Sequence, residues 1–189
     1  WQAAGTVASI LDGNLIEHAA AAGLRSLFVG FESMSNANLA EHRKGHNVGR
    51  DYDRAISRLH DLGVMVNASF VFGMDDDGPE VFDRTVDWAI ARGIETATFH
   101  ILTPYPGTGL YRRMDAQGRI LHRDWDRYDT RQVVFEPRGM TAAQLEAGYW
   151  HAYERFYEWR SIVSAARTKD GLRSQLRHVA YSAGWKKFE

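Results

Sequence analysis

Three times between Asn14 and Leu102 a helical stretch runs into a glycine and then into a short apolar strand, and that repeat constrains the fold more than any other feature. The first copy is Asn14 to Ala22, Gly23, then Ser26 to Phe31; the second is Asp51 to Leu62, Gly63, then Val64 to Phe72; the third is Pro79 to Arg92, Gly93, then Thr96 to Leu102. Glycine supplies the left-handed turn that stops each helix. Phe70-Val71-Phe72 and Phe99-His100-Ile101-Leu102 are nearly continuous apolar runs, the mark of parallel strands buried on both faces. Strands alternating with helices predict βαβ units in an α/β fold. Residues 1–8, with Thr6-Val7-Ala8 as the strand-like part, read as one more strand, and Val133-Val134-Phe135 as a candidate fifth. Four or five parallel strands are too few to close an eight-stranded barrel.

Local signals refine this. Asp51 caps a helix whose Tyr52, Ala55, Ile56 and Leu59 share one face. Pro79 suits a first helical turn, with Asp77 ahead of it as the cap. After Leu102 the turn-rich Thr103-Pro104-Tyr105-Pro106-Gly107-Thr108-Gly109 breaks the pattern. Thr141 and Gln144 form a capping box with Met140 stapling onto Leu145, and the helix they start carries Leu145, Tyr149, Ala152, Phe156 and Trp159 on one face. Residues 1–136 therefore read as the sheet-containing part and 137–189 as a helical extension.

Composition removes several functions. The chain has no cysteine, which excludes disulfides, a catalytic thiol, thiolate zinc sites and any cluster held by its own cysteines. A net charge of −1 offers no global basic field for nucleic acid. Residues 160–189 carry seven basic and two acidic side chains against 16 and 22 elsewhere. Without interleaved aromatics, that tail reads as a solvated helix from Arg167 to Tyr181. No apolar run approaches a membrane span, and no signal peptide is evident, so a cytoplasmic location is expected. The chain opens on Trp1 rather than methionine, which reads as a piece of something longer.

Ligands of parallel α/β folds bind at the carboxyl ends of the strands. Alternation puts Asn67, Ser69 and Val71 on one face and Ala68, Phe70 and Phe72 on the other, with Glu32 expected beside the first set. A strand-end carboxylate can accept from ribose hydroxyls or hold an ammonium group. In Glu41-His42-Arg43-Lys44-Gly45-His46, Lys44 or Arg43 suits a carboxylate or phosphate clamp better than the two histidines suit a metal. Asp75-Asp76-Asp77 reads as charge favouring the next helix's dipole, and His100 as a core residue.

The stretches Gly30-Phe31-Glu32-Ser33, Ser69 to Asp77, and His100 to Thr108 resemble radical S-adenosylmethionine (SAM) enzymes, most of all the branch that often carries an N-terminal cobalamin-binding domain. The resemblance covers about Trp1 to Trp159. It implies a partial parallel (β/α) barrel, half of a TIM-like one, with a 4Fe–4S cluster at its mouth in the full-length parent. It also implies that Glu32, Lys44, Ser69, Val71, Gly73, Asp76, Leu102 and Thr103 contact SAM, with cobalamin an option in the parent. The family's Cys-x-x-x-Cys-x-x-Cys loop and Gly-Gly-Glu segment are missing. The chain then resembles the barrel from its third strand onward, unable to hold the cluster alone and acting on a small-molecule substrate that the resemblance does not specify. Two other readings stand beside it: a complete α/β enzyme using Glu32 as base and Lys44 as anion clamp on a small anionic substrate, or a non-catalytic interaction module. A barrel cut before its third strand exposes an edge, which predicts a homodimer, with the Leu145–Trp159 helix packing outside the barrel rather than over an edge.

Overall fold

A computed structural model of the protein describes residues 1–41, 49 and 51–186. Four strands, β1 (Gln2–Gly5), β2 (Ser26–Glu32), β3 (Met65–Phe72) and β4 (Thr96–Ile101), form one sheet in sequence order, every pair parallel. Helices α1 (Val7–Leu11) and α2 (Leu15–Ala21) link β1 to β2, α3 (Asn36–Glu41) and α4 (Tyr52–Asp61) link β2 to β3, and α5 (Val81–Ala91) links β3 to β4. Four further helices follow: α6 (Gly109–Ala116), α7 (Ala142–Phe156), α8 (Trp159–Ala166) and α9 (Leu172–Lys186). Among the described residues no helix is long and apolar enough to cross a membrane.

The three helix–glycine–strand repeats hold, and Gly23, Gly63 and Gly93 are all left-handed. The Asp51 side chain caps α4 by accepting from the Arg54 N–H, and Thr141 and Gln144 form the expected capping box of α7. Four details differ. Thr6-Val7-Ala8 is not strand, because Thr6 and Ser9 build a capping box that starts α1 at Val7. Asp77 does not cap α5; it turns back to accept from the Gly73 and Met74 N–H groups, both at 3.0 Å. The stripe beginning at Leu145 ends at Phe156, and Trp159 opens α8 with 56 % of its surface exposed. The basic tail is not one helix from Arg167, since α8 and α9 are separated by a turn at 167–171.

The helix-covered face of the sheet is an aromatic layer. Phe31, Phe70, Phe99 and Phe72 stack in succession, with centroids 5.8, 5.9 and 5.5 Å apart. Phe82 of α5 and Tyr153 of α7 meet this row edge-on at 4.9 and 5.1 Å, the geometry that ring quadrupoles favour.

The outer edge of β4 carries backbone groups that no strand pairs, and α7 supplies their partners. The Tyr157 hydroxyl accepts from the Ala97 N–H at 3.2 Å and donates to the Ala97 carbonyl at 2.9 Å. One turn earlier, the Tyr153 hydroxyl does the same at Phe99, both bonds 3.1 Å. The Ile101 N–H donates to the Thr130 carbonyl at 2.7 Å. The expectation that this helix avoids the sheet edges is therefore corrected: hydroxyls spaced i, i+4 on a helix reach alternate residues of a strand. The same seal excludes Val133-Val134-Phe135 as a fifth strand. Phe135 instead makes an isolated antiparallel bridge to Ile120.

At the amino ends of the strands, α8 and α9 are tied down through Glu95, which is almost fully buried. Its carboxylate accepts from Lys169 Nζ at 2.6 Å and from the Val66 N–H at 2.9 Å, with His60 Nε2 at 3.4 Å. Ser182 of α9 donates to the Glu95 carbonyl at 2.8 Å. Burial alone would raise the Glu95 carboxyl, but His60 and Lys169 outweigh it and hold it at about 2.

Two expectations follow. Tyr153→Phe and Tyr157→Phe should each cost roughly 1–3 kcal/mol in urea unfolding, the range for stranding a buried backbone pair. The double variant should aggregate through the freed edge, which sedimentation would detect. The Glu95 carboxyl is lower in the folded than in the unfolded chain, so its stabilisation is present above about pH 4.5 and is lost as pH falls toward 2. Glu95→Ala should cost roughly 3–5 kcal/mol at neutral pH, by stranding Lys169, and should flatten the loss of stability over that acid window.

Candidate functional site

The face of the sheet opposite the aromatic layer carries mainly small and polar side chains, with Phe28 and Val71 the larger apolar ones. Strand pairing sets Gly30, Ser69 and Thr98 in one row and Asn67 beside Thr96 in the row below. Val71 stands beside His100 one step nearer the carboxyl ends. The expected alternation of β3 holds, with Asn67, Ser69 and Val71 on this inner face.

Glu32 closes β2 with φ at 67°, a left-handed backbone that costs a non-glycine residue roughly 1–2 kcal/mol. The Ser33 N–H donates back to the Phe31 carbonyl at 2.8 Å and closes a three-residue turn around it. The turn throws the carboxylate back over Gly30, where a Cβ would stand only 2.9 Å from Glu32 Oε1. Gly30 thus leaves the space that the carboxylate fills, next to Ser69. Below the turn, the Tyr52 hydroxyl donates to the Phe31 carbonyl at 2.9 Å; burial, then the charge of Glu32, pushes this phenol above its ordinary range.

The remaining candidates take different places. Ser69 is buried on the inner face and Val71 half-buried above it. Gly73 is left-handed at 93°, and a Cβ there would come 2.7 Å from a methyl of Leu145, so its smallness admits α7. Asp76 accepts from the Ser35 hydroxyl at 2.6 Å, and its N–H donates to Asn38 Oδ1 at 2.9 Å. Asn38 also donates to Asp77 at 2.8 Å, so the segment after Glu32 is laced to the end of β3. Burial, working against these donated bonds, pushes the Asp77 carboxyl up to about 6. Asp75 pairs with Arg119 at 2.8 Å and Arg138 at 3.2 Å instead of serving a helix dipole. Leu102 is buried with its N–H on the Phe72 carbonyl at 2.8 Å, and the Thr103 hydroxyl donates to the Ile101 carbonyl at 3.0 Å. Lys44 lies outside the described residues, as do His42, Arg43 and His46. Among the described residues no cluster of three or more His, Asp or Glu side chains could hold a metal.

His100, expected to be a core residue, is instead half-buried on the inner face. It faces inward beside Val71, with Nδ1 3.3 Å from the Thr130 hydroxyl. Burial lowers its pKa while the charge of Glu32, two strands away, raises it. Counting parity from Phe99, whose ring stacks on the helix side, would have placed His100 inward.

No family model matches the chain. It is 32% identical over 153 residues to bacteriochlorophyllide d C-12(1)-methyltransferase of Chlorobaculum tepidum, covering 81% of this chain and 33% of that protein. The chain thus spans about a third of the length of that curated relative. Its fold matches TsrM, a radical SAM methyltransferase of Kitasatospora setae solved with tryptophan and a SAM analogue, at a TM-score of 0.53 and 22% identity over 61% of this chain and 22% of that one. Coproporphyrinogen III oxidase (HemN) of Escherichia coli, a radical SAM enzyme, matches at 0.55 with 13% identity over 85% and 32%. The chain shares its fold with radical SAM enzymes. Its parallel sheet is part of that family's partial barrel.

The family's two groups fare differently on this chain's residues. A thiolate-held cluster finds no ligand, because no cysteine is present. SAM fits the inner face better. Asn67 Oδ1 and Thr96 Oγ1 are buried there without a protein partner, below Ser69 and the Glu32 carboxylate. Such atoms await a ligand's donors and acceptors, since buried polar groups are otherwise paired.

Glu32→Gln is expected to lower the His100 pKa further by removing the charge that raises it. An NMR titration of the His100 ring proton checks this, and an unchanged value would place the carboxylate away from the inner face.

Proposed function

We propose that this chain forms the SAM-facing later strands of a radical SAM barrel, and that the whole protein reductively cleaves SAM at a 4Fe–4S cluster held by cysteines outside these 189 residues. The observation that carries the reading is the Glu32 carboxylate turned onto the inner face beside Ser69, in a chain with the kinship described above. Glu32 would accept from the cofactor's hydroxyl or ammonium donors, and Ser69 with Asn67 would complete the polar floor. Lys44 would pair with the cofactor's carboxylate. Gly73, Val71 and Asp76 would shape the end of β3 against the cofactor, and Leu102 with Thr103 the end of β4. When bound and reduced, SAM supplies a carbon radical that removes a hydrogen atom from the substrate.

The chemistry on the substrate would be of the kind its relatives' names state. One relative methylates bacteriochlorophyllide d, and HemN acts on coproporphyrinogen III. Both compounds are tetrapyrroles, and a tetrapyrrole is the substrate class we assign to the whole protein. Cobalamin, bound in TsrM, is a further cofactor of the proposed parent. We place the protein in the cytoplasm and divide it at 136/137. Self-association of the 189-residue chain by itself is assigned to the edge of β1, because β4 is sealed.

Two measurements test this. The 189-residue chain should take up no iron on anaerobic reconstitution; a stoichiometric cluster would overturn the assignment of its ligands elsewhere. The protein expressed with its natural in-frame upstream sequence should form 5′-deoxyadenosine from SAM under reduction, and Glu32→Ala should weaken SAM binding at least about tenfold, or 1.4 kcal/mol. No 5′-deoxyadenosine from that protein with an intact cluster would reject the reading.

A further inference from the structure

A cavity of about 620 Å³ lies along the outer edge of β4, between the strand and α7, with the end of α9 on its rim. Its volume falls within the range of small-molecule sites. A groove beside an edge strand ordinarily suggests an added peptide strand. Here that occupant is excluded, because the Ala97 and Phe99 backbone groups are already held by Tyr157 and Tyr153, and the Ile101 N–H by Thr130. Recognition must therefore come from side chains.

Those side chains are aromatic and cationic. Trp150 and Trp185 line the cavity with 44% and 40% of their surface exposed, so their ring faces are open to a ligand. The Arg131 guanidinium sits 5.5 Å above the Trp150 ring. Lys186 donates to the Tyr157 carbonyl at 2.8 Å. Among the described residues no carboxylate lies within salt-bridge distance of either cation, and Glu154 is the one acidic side chain in the lining. His100, which faces the inner side of the sheet, lines the same space and connects it to the region of Glu32.

We propose that this cavity binds a planar aromatic ligand bearing carboxylates, its ring system against Trp150 and Trp185 and its carboxylates on Arg131 and Lys186, with one edge reaching His100. Flat aromatic rings offer the ligand stacking at low entropic cost. A guanidinium stacked on an indole holds its donors in its own plane; Arg131 gives one to the Tyr149 hydroxyl and keeps others that can reach a carboxylate. The assignment rests on the radical SAM reading for its purpose, as the place where a substrate meets the inner face, but its chemistry is independent of that reading.

The test is a titration of the 189-residue chain with coproporphyrin III, followed by the shift of its main absorption band, beside the same titration with its tetramethyl ester. The free acid should bind saturably at one site. Arg131→Glu, on an exposed side chain that should not disturb folding, is expected to raise Kd at least about tenfold, and Trp150→Ala to raise it severalfold. Arg92→Ala, which breaks an exposed pair with Asp53 between α4 and α5, should leave Kd unchanged. The ester should bind more weakly, and Arg131→Glu should then cost little more, because the two changes remove the same contact. No saturable binding, an unchanged Kd in Arg131→Glu, or equal binding of acid and ester would each overturn the proposal. Porphyrin binding through Arg131 in a protein that yields no 5′-deoxyadenosine when expressed with its upstream sequence would sink the proposed function and leave the cavity standing. Turnover without porphyrin binding would do the reverse.

Discussion

An open parallel sheet has two edges, and the residue that borders an edge has an N–H and a C=O that need partners. In this chain two phenol hydroxyls provide them for β4. A hydroxyl carries one donor and two acceptor sites, so a single tyrosine can satisfy both groups of one residue, and two tyrosines four apart, Tyr153 on α7 and Tyr157 at its C-terminal cap, satisfy alternate residues of the strand. Much of the later half of the chain follows from this. It fixes α7 against the sheet, carries Leu145 to the position where Gly73 must lack a side chain, and leaves between helix and strand the cavity lined by Arg131 and Trp150.

The two faces of the sheet solve opposite problems. On the helix side, large rings fill the layer, and Phe31, Phe70, Phe99 and Phe72 form one continuous stack. On the inner side, Gly30, Ser69, Thr98 and Asn67 leave room and polar atoms. The same strands serve both because β-alternation separates the two sets residue by residue. Strain marks where the inner face is used. Glu32 occupies a left-handed backbone without being glycine, and Gly30 is cleared for its carboxylate. A residue held in such a conformation by its surroundings is more easily explained by the position of its side chain than by the turn alone.

What was legible in the sequence was local or periodic. The helix–glycine–strand repeat, the Asp51 cap, the Thr141–Gln144 box and the alternation of β3 each lie within one short stretch of chain, and all appear in the fold. The misreadings came from chemistry that acts at a distance or is written in an uncommon residue. Thr6 and Ser9 make a capping box with serine in place of the usual Glu or Gln, so an apolar run that looked extended became helix. Asp77 was read against the helix after it when it serves the turn before it. Tyr153 and Tyr157 act on residues 54 and 60 positions away, and Glu95 gathers His60 and Lys169 from opposite directions along the chain. No spacing rule encodes those meetings. The buried stripe of α7 was found at Leu145, Tyr149, Ala152 and Phe156, whereas the two residues that close the edge lie beside it.

The position of Glu95 gives the architecture its direction. The buried carboxylate, lysine and histidine lie at the amino ends of the strands, while Glu32, Asp76, Asp77 and Thr103 lie at the carboxyl ends. In parallel α/β folds the first end is where side chains stabilise and the second is where they bind. The cluster at Glu95 anchors α8 and α9 to the end of the sheet that ligands do not use. It thereby holds the end of α9, with Trp185 and Lys186, at the rim of the cavity beside β4. The helices after the sheet are joined to it by Glu95 below, by tyrosine hydroxyls along the edge and by Leu145 against Gly73 above. Any ligand along β4 therefore meets a wall whose position is set at three separate points, which is what a binding surface built from long, flexible Arg and Lys side chains requires of its backbone.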